Sequence, residues 1–170
     1  QGFKVAICEQ METPEQAKRR KGPKIVRREV VRVVTPGALL DEEHLVRGEP
    51  NYLVAVVRGP GEANLGLSGL DISSGDFFTA LPGDVHALRA ELARVAPREI
   101  VALERDHEWL VATLGQDCPR LEVAEQGASD ASRQRVLALD EESGGRGSLD
   151  PVGRDAAAMA LEYAESTQPG

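Results

Sequence analysis

The residues able to do chemistry in this sequence are few and scattered. Asp71 closes the apolar run "LGLSGLD", and Glu104 follows another, "EIVAL". Metal-assisted phosphodiester hydrolysis needs several carboxylates converging on paired cations, because two divalent ions require dense negative charge. Two acids on separate segments do not make that cluster, and the most apolar strand candidate, "YLVAVVR", carries no acid. Asp71 is better suited to bonding the turn at Ser73-Ser74. His44, His86 and His107 stand in polar surroundings and are expected at the surface, and no spacing supports a nucleophile–base pair. Cys8 and Cys118 have no second sulfur or histidine nearby. Neither a disulfide framework nor a zinc site is expected, and both thiols should be reduced in a cytoplasmic protein. The glycine-rich stretches "GPGEANLG" and "SGGRGS" lack the Gly-Lys-Ser/Thr ending that holds phosphate and magnesium, so they read as turns. No catalytic residue and no metal site is assigned, and the sequence does not read as an enzyme.

Charge divides the chain. Its 170 residues carry a net charge of -8, yet residues 1–32 hold nine basic against four acidic side chains, a net +5, which leaves -13 on the remainder. An acidic body repels nucleic acid, while a basic strip at one end can touch phosphate. Lys24, Arg27 and Arg28 are the candidates for that contact, and a solvated basic loop is the simpler alternative. Hydrophobic residues make up 41% of the chain and aromatics only 4%, so the core should rest on Leu, Val, Ile and Ala. No apolar run approaches the roughly 18 residues of a membrane span, and the start lacks a signal-peptide pattern.

Periodicity supplies the elements that would position these residues. "GFKVAICEQ" reads as a buried strand, and a chain opening directly in a strand is expected to be a piece of something larger. Thr13 is placed to cap a short helix with Pro14 at its first position, stopped by Gly22-Pro23. "IVRREVVRVV" predicts a second strand, ended by Thr35-Pro36-Gly37, and "DEEHLVRGEPN" a short helix or linker. "YLVAVVR" is apolar throughout and should be covered on both faces. In "LGLSGLDIS", Leu65 and Leu67 share one phase and Leu70 and Ile72 the other, which predicts a β-bulge at Ser68-Gly69. With "FFTAL" these form an antiparallel meander. Val85, Leu88, Leu92 and Val95 then mark a helix begun by Asp84 and ended by Pro97. Strand "EIVAL", helix "RDHEWLVATLG" and strand "RLEVAE" follow, a helix-then-strand order that favours parallel pairing. "SDASRQRVLALDEE" is helical, and a last helix capped by Asp150 with Pro151 in its first turn lines up Val152, Ala156, Met159 and Tyr163. That helix runs nearly to the last residue, which repeats the expectation of a fragment. A meander followed by alternating helices and strands is the ribonuclease H-like order.

Three blocks together carry a family resemblance. "VAICEQ", a basic helix and loop, "REVVRVVTPGAL" and "LDISSGDF" resemble bacterial DNA mismatch repair proteins of the MutS family, and "ALEYAESTQ" is similar to the helix that leads that family out of its second domain. The likeness covers nearly the whole chain. The segment "AKRRKGPKI" departs from it, being longer and more basic than usual. The resemblance implies that residues 1–37 are the C-terminal part of a mismatch-binding domain, 38–50 a linker, and 51–170 a connector domain. It implies an α/β, ribonuclease H-like connector with a mixed sheet and helices on both faces, preceded by a strand-rich remnant.

The family's aromatic-x-Glu mismatch reader would then lie before this chain and its ATPase, with ATP and magnesium, after it. This piece would hold no cofactor. The implied role is non-catalytic communication between DNA binding and the distant ATPase, with a surface that helps recruit MutL. The partner-facing helix of the family matches "ASRQRVL", so Arg133, Gln134 and Arg135 are the candidate contacts, against the alternative of ordinary solvent-facing residues. Val136 and Leu139 should face the core of that helix. The full-length family is a homodimer on mismatched DNA; the fragment is expected to be monomeric with weak or no DNA binding. The competing reading is a metal-dependent nuclease of the same fold, which requires three or more carboxylates at the open ends of the central strands.

Overall fold

The computed structural model describes residues 3–38, 50–61, 64–115, 119–124, 126–144 and 149–167. The expected linker at 38–50 and the "SGGRGS" loop fall mostly outside them.

The first part is a two-stranded sheet with a short helix between its strands. β1 (Val5–Gln10) pairs antiparallel with β2 (Arg28–Val34), Val5 lying opposite Val34. Between them α1 (Pro14–Arg19) starts in a capping box: Thr13 Oγ1 accepts from the Gln16 N–H, and Gln16 Oε1 accepts from the Thr13 N–H. Lys24 closes the other end, its ammonium donating to the carbonyls of Lys18 and Arg20, where the helix dipole favours a cation.

The second part is a five-stranded mixed sheet. β3 (Leu53–Arg58), β4 (Leu65–Asp71) and β5 (Asp76–Ala80) form the antiparallel meander, and β6 (Glu99–Leu103) and β7 (Arg120–Ala124) join it in parallel, in the order β5-β4-β3-β6-β7. α2 (Val85–Val95) and α3 (Glu104–Leu114) cover one face, and α5 (Pro151–Thr167) the other. α4 (Asp130–Glu142) packs outside α5. Alternation along β3 explains the two layers. Val54 and Val56 enter the core with Leu65, Leu67, Leu88, Leu92, Ile100 and Leu110, while Leu53, Ala55 and Val57 enter the core built around α5. Both faces are closed, as the unbroken apolar run requires.

The expected bulge is absent. β3 and β4 stay in register from Leu53 opposite Leu70 to Arg58 opposite Leu65, and β4 and β5 are equally regular. The leucines of β4 change phase because both faces are buried, so each face recruits its own pair: Leu65 and Leu67 one core, Leu70 and Ile72 the other. Its glycines are places of close approach. A Cβ on Gly69 would meet the Phe78 ring, and one on Gly66 the carbonyl of Val152 in α5.

That contact can be tested. Gly66→Ala should destabilise the fold by about 1–3 kcal/mol, the usual effect of overpacking. Gly83→Ala, with nothing within 4 Å of the new methyl, should stay within about 0.5 kcal/mol. Equal urea midpoints for the two variants would contradict the packing described.

Candidate functional site at the junction of the two sheets

β2 ends in the turn Thr35-Pro36-Gly37-Ala38, closed by a bond from the Ala38 N–H to the Thr35 carbonyl (3.2 Å). Thr35, Gly37 and Ala38 are buried. The turn lies on the ends of β3 and β6: a Cβ on Gly37 would stand 2.9 Å from Cβ of Glu99 and 3.2 Å from Cα of Leu53. A side chain here would force the turn off the sheet. The Gly37 N–H instead donates to Glu99 Oε2 at 3.0 Å.

Glu99 opens β6 and is 0% exposed. A buried carboxylate is tolerated only where its oxygens are bonded. Its Oε1 accepts from the Tyr163 hydroxyl of α5 (2.9 Å) and lies 3.8 Å from Nε of Arg120 on β7. Arg120 also donates to Glu122 Oε1 (2.7 Å), and Glu122 meets Lys4 Nζ (3.3 Å), just ahead of β1. Lys4 in turn sits 5.6 Å over the Tyr163 ring. Burial, then the charge of Glu99, raises the Tyr163 hydroxyl far above an ordinary tyrosine, so it remains a donor. Both strands of the small sheet are thereby tied, at the end where Val5 faces Val34, to the large one through a single carboxylate network.

Glu99, Gly37, Tyr163 and Arg120 were not among the residues expected from sequence. Glu99 is 62 positions from Gly37 and 64 from Tyr163, so no local spacing reveals the group. The available signal was a lone acid at the head of the buried run "EIVAL".

The expected partner-facing residues sit on α4. Gln134 and Arg135 point outward, and Arg135 bonds Glu165 of α5. Arg133 differs from expectation. Its side chain is 30% exposed and tied to Asp155 (2.6 Å) and Asp130 (2.9 Å), so it anchors the helix. Leu139 also differs, being 41% exposed. α4 lies on α5 through Ser132 and Val136, and this narrow seam leaves Leu139 at its edge.

At the basic end, Lys24 is occupied capping α1 and Arg27 pairs with Glu29, whereas Arg28 is exposed. Cys8 is an exposed free thiol, and His44 and Cys118 lie outside the described residues.

The acids near the sheet lie against protein cations and donors, although Oδ2 of Asp106 is buried without a hydrogen-bond partner. Asp106, 4% exposed, pairs with Arg58 (3.5 Å) and Arg105 (3.6 Å). Asp71 bonds its turn as expected, accepting from Ser73 N (2.9 Å) and Oγ (2.6 Å), and it also accepts from Asn51 N (3.0 Å). Burial raises its pKa, but these bonds together outweigh that and hold it below the ordinary value. Among the described residues no three His, Cys, Asp or Glu side chains gather as a metal site.

Two family models match parts of the chain. A family model described as MutS domain II matches residues 51–170, and one described as MutS domain I matches residues 1–43. A DNA mismatch repair protein MutS of Cereibacter sphaeroides (strain ATCC 17025 / ATH 2.4.3) is 38% identical over 176 residues, covering 99% of this chain and 19% of the relative. Proteins of the same description from Desulfosudis oleivorans and Syntrophobacter fumaroxidans are 46% and 44% identical over 61% and 64% of this chain, and 11% and 12% of their own length. The chain thus spans about a fifth or less of the length of these relatives.

Removing the Glu99 carboxylate tests the junction. Glu99→Ala leaves the Gly37 N–H and the Tyr163 hydroxyl without an acceptor and should cost about 2–4 kcal/mol in denaturant unfolding. Glu99→Gln keeps one acceptor and should cost roughly half as much. Two variants as stable as the parent would show that the carboxylate does not hold the turn.

Proposed function

This chain belongs to the MutS family of DNA mismatch repair proteins, and on that premise we propose that it is a non-catalytic connector module. In this reading residues 1–37 end the mismatch-binding domain, 38–50 link, and 51–170 form a ribonuclease H-like connector. The module passes the state of bound DNA toward an ATPase in the rest of the protein, where ATP and magnesium act, and offers a surface to MutL. The full protein works as a homodimer on mismatched DNA. The piece itself adds at most weak phosphate contact through Lys24, Arg27 and Arg28, with Arg28 the most available, since the -13 body opposes retention on DNA.

One observation carries the reading. The turn that ends the first sheet is buried against the second, its Gly37 N–H held by a carboxylate with no access to water. A displacement of β2 is therefore felt directly at β6, β7 and α5. The nuclease alternative is disfavoured by the engagement of Asp106, Asp155 and Asp71 with arginines or backbone donors.

In the full-length protein, Glu99→Gln should leave mismatch affinity within about twofold, because the reader is untouched. The change in ATP turnover that mismatched DNA provokes should shrink by about tenfold, which corresponds to 1.4 kcal/mol of coupling. An unaltered ATP response would overturn the coupling role. The MutL surface has its own test. Gln134→Ala with Arg135→Ala should keep the sheet and α5 folded, because exposed polar changes cost under about 0.5 kcal/mol. MutL binding should weaken by about tenfold or more if these are interface anchors. Unchanged MutL affinity would remove this face of α4 from the proposal.

A further inference from the structure

α4 is fastened to the body by one core residue, Val136, by two ion pairs and by hydrogen bonds to one carboxylate. Of its 13 residues only Ser132 and Val136 are buried, whereas α5 buries nine of its 17. Three acids of α5 provide the anchorage. Glu162 Oε2 accepts from Ser129 N (2.8 Å) and Ser132 Oγ (2.9 Å). Asp155 Oδ1 accepts from Arg133 Nε (2.6 Å), and Glu165 accepts from Arg135. The Ser129 N–H, more than any other contact, holds Glu162 below the ordinary carboxylate range, so the acceptor stays ionised at neutral pH. α5, by contrast, packs directly on β3, β4 and β5 through Val152, Ala156, Met159 and Ala160. Of α4 only Val136 enters that core, so the body beneath rests mainly on α5.

We infer that α4 is a releasable helix: it opens from α5 as a unit, leaving α5 and the sheet folded, when its ionic anchors are screened or taken by a competing charged surface. Half-exposed ion pairs weaken as added salt shortens the Debye length, while apolar packing does not. Local openings of this kind are drawn from segments with few buried apolar contacts. α4 is also the helix proposed above to face MutL, and release would make that surface adjustable. The inference itself needs no partner, so it stands or falls separately from the MutL reading.

Hydrogen exchange on this chain tests it. On raising sodium chloride from about 0.05 to about 0.5 M, amides of α4 should exchange roughly tenfold faster while those of α5 and β3 keep their protection. Arg135→Glu should give the same acceleration at low salt, and adding Glu165→Arg should reverse it. Exchange of α4 that tracks α5 at both salt concentrations would overturn the inference. A charge reversal without effect, or one not rescued by the second change, would also overturn it.

Discussion

A carboxylate with no exposed surface imposes its own requirements on everything around it. Glu99 must find donors for both oxygens, and it finds them on different elements, Gly37 of the turn after β2 and Tyr163 of α5, with the charge of Arg120 on β7 close by. Each of the three is fixed in turn. Gly37 has no room for a side chain, Tyr163 is kept protonated, and Arg120 is shared with Glu122, which reaches Lys4. Breaking such a group leaves several buried polar atoms unsatisfied at once, so it acts as one unit. The path from the small sheet to the large one runs through this point.

The rest of the large sheet supplies a rigid base for it. β3 is buried on both faces, so helices must close above and below. On one side α5 presents the small residues Ala156 and Ala160, which let the helix lie close over β4 where Gly66 leaves space. A helix held that closely places Tyr163, near its C-terminal end, against Glu99 without further adjustment. α4 stands outside this arrangement, attached through carboxylates to the outer side of α5. The molecule therefore combines a tightly packed body with a polar-bound outer helix.

Much of this was legible from local pattern. The capping residues Thr13 and Asp150, the helix start at Asp84, the meander, the parallel strand "EIVAL" and the two-faced burial of "YLVAVVR" all follow from spacing and composition. The β4 bulge was misread for a physical reason. A phase change among leucines marks a bulge when one face is wet, but it is the normal pattern of a strand buried on both. Leu139 was misplaced because helical spacing gives a shared face and not the width of the seam that face meets. The junction was the least legible part, since its bonds join residues more than sixty positions apart. Family likeness pointed to the boundary near Thr35-Pro36-Gly37, but it did not point to Glu99.

The central claim is that the two sheets move as one body because of Glu99. A distance measurement between spin labels tests it most directly. One label goes on exposed Cys8 of β1 and the other on a cysteine replacing exposed Glu108 of α3, with Cys118 changed to Ser. The account predicts a single narrow distance distribution in the parent and a broad one when Glu99→Ala is added under conditions where the large sheet stays folded. A broad distribution in the parent, or a narrow one that survives the loss of the carboxylate, would contradict it.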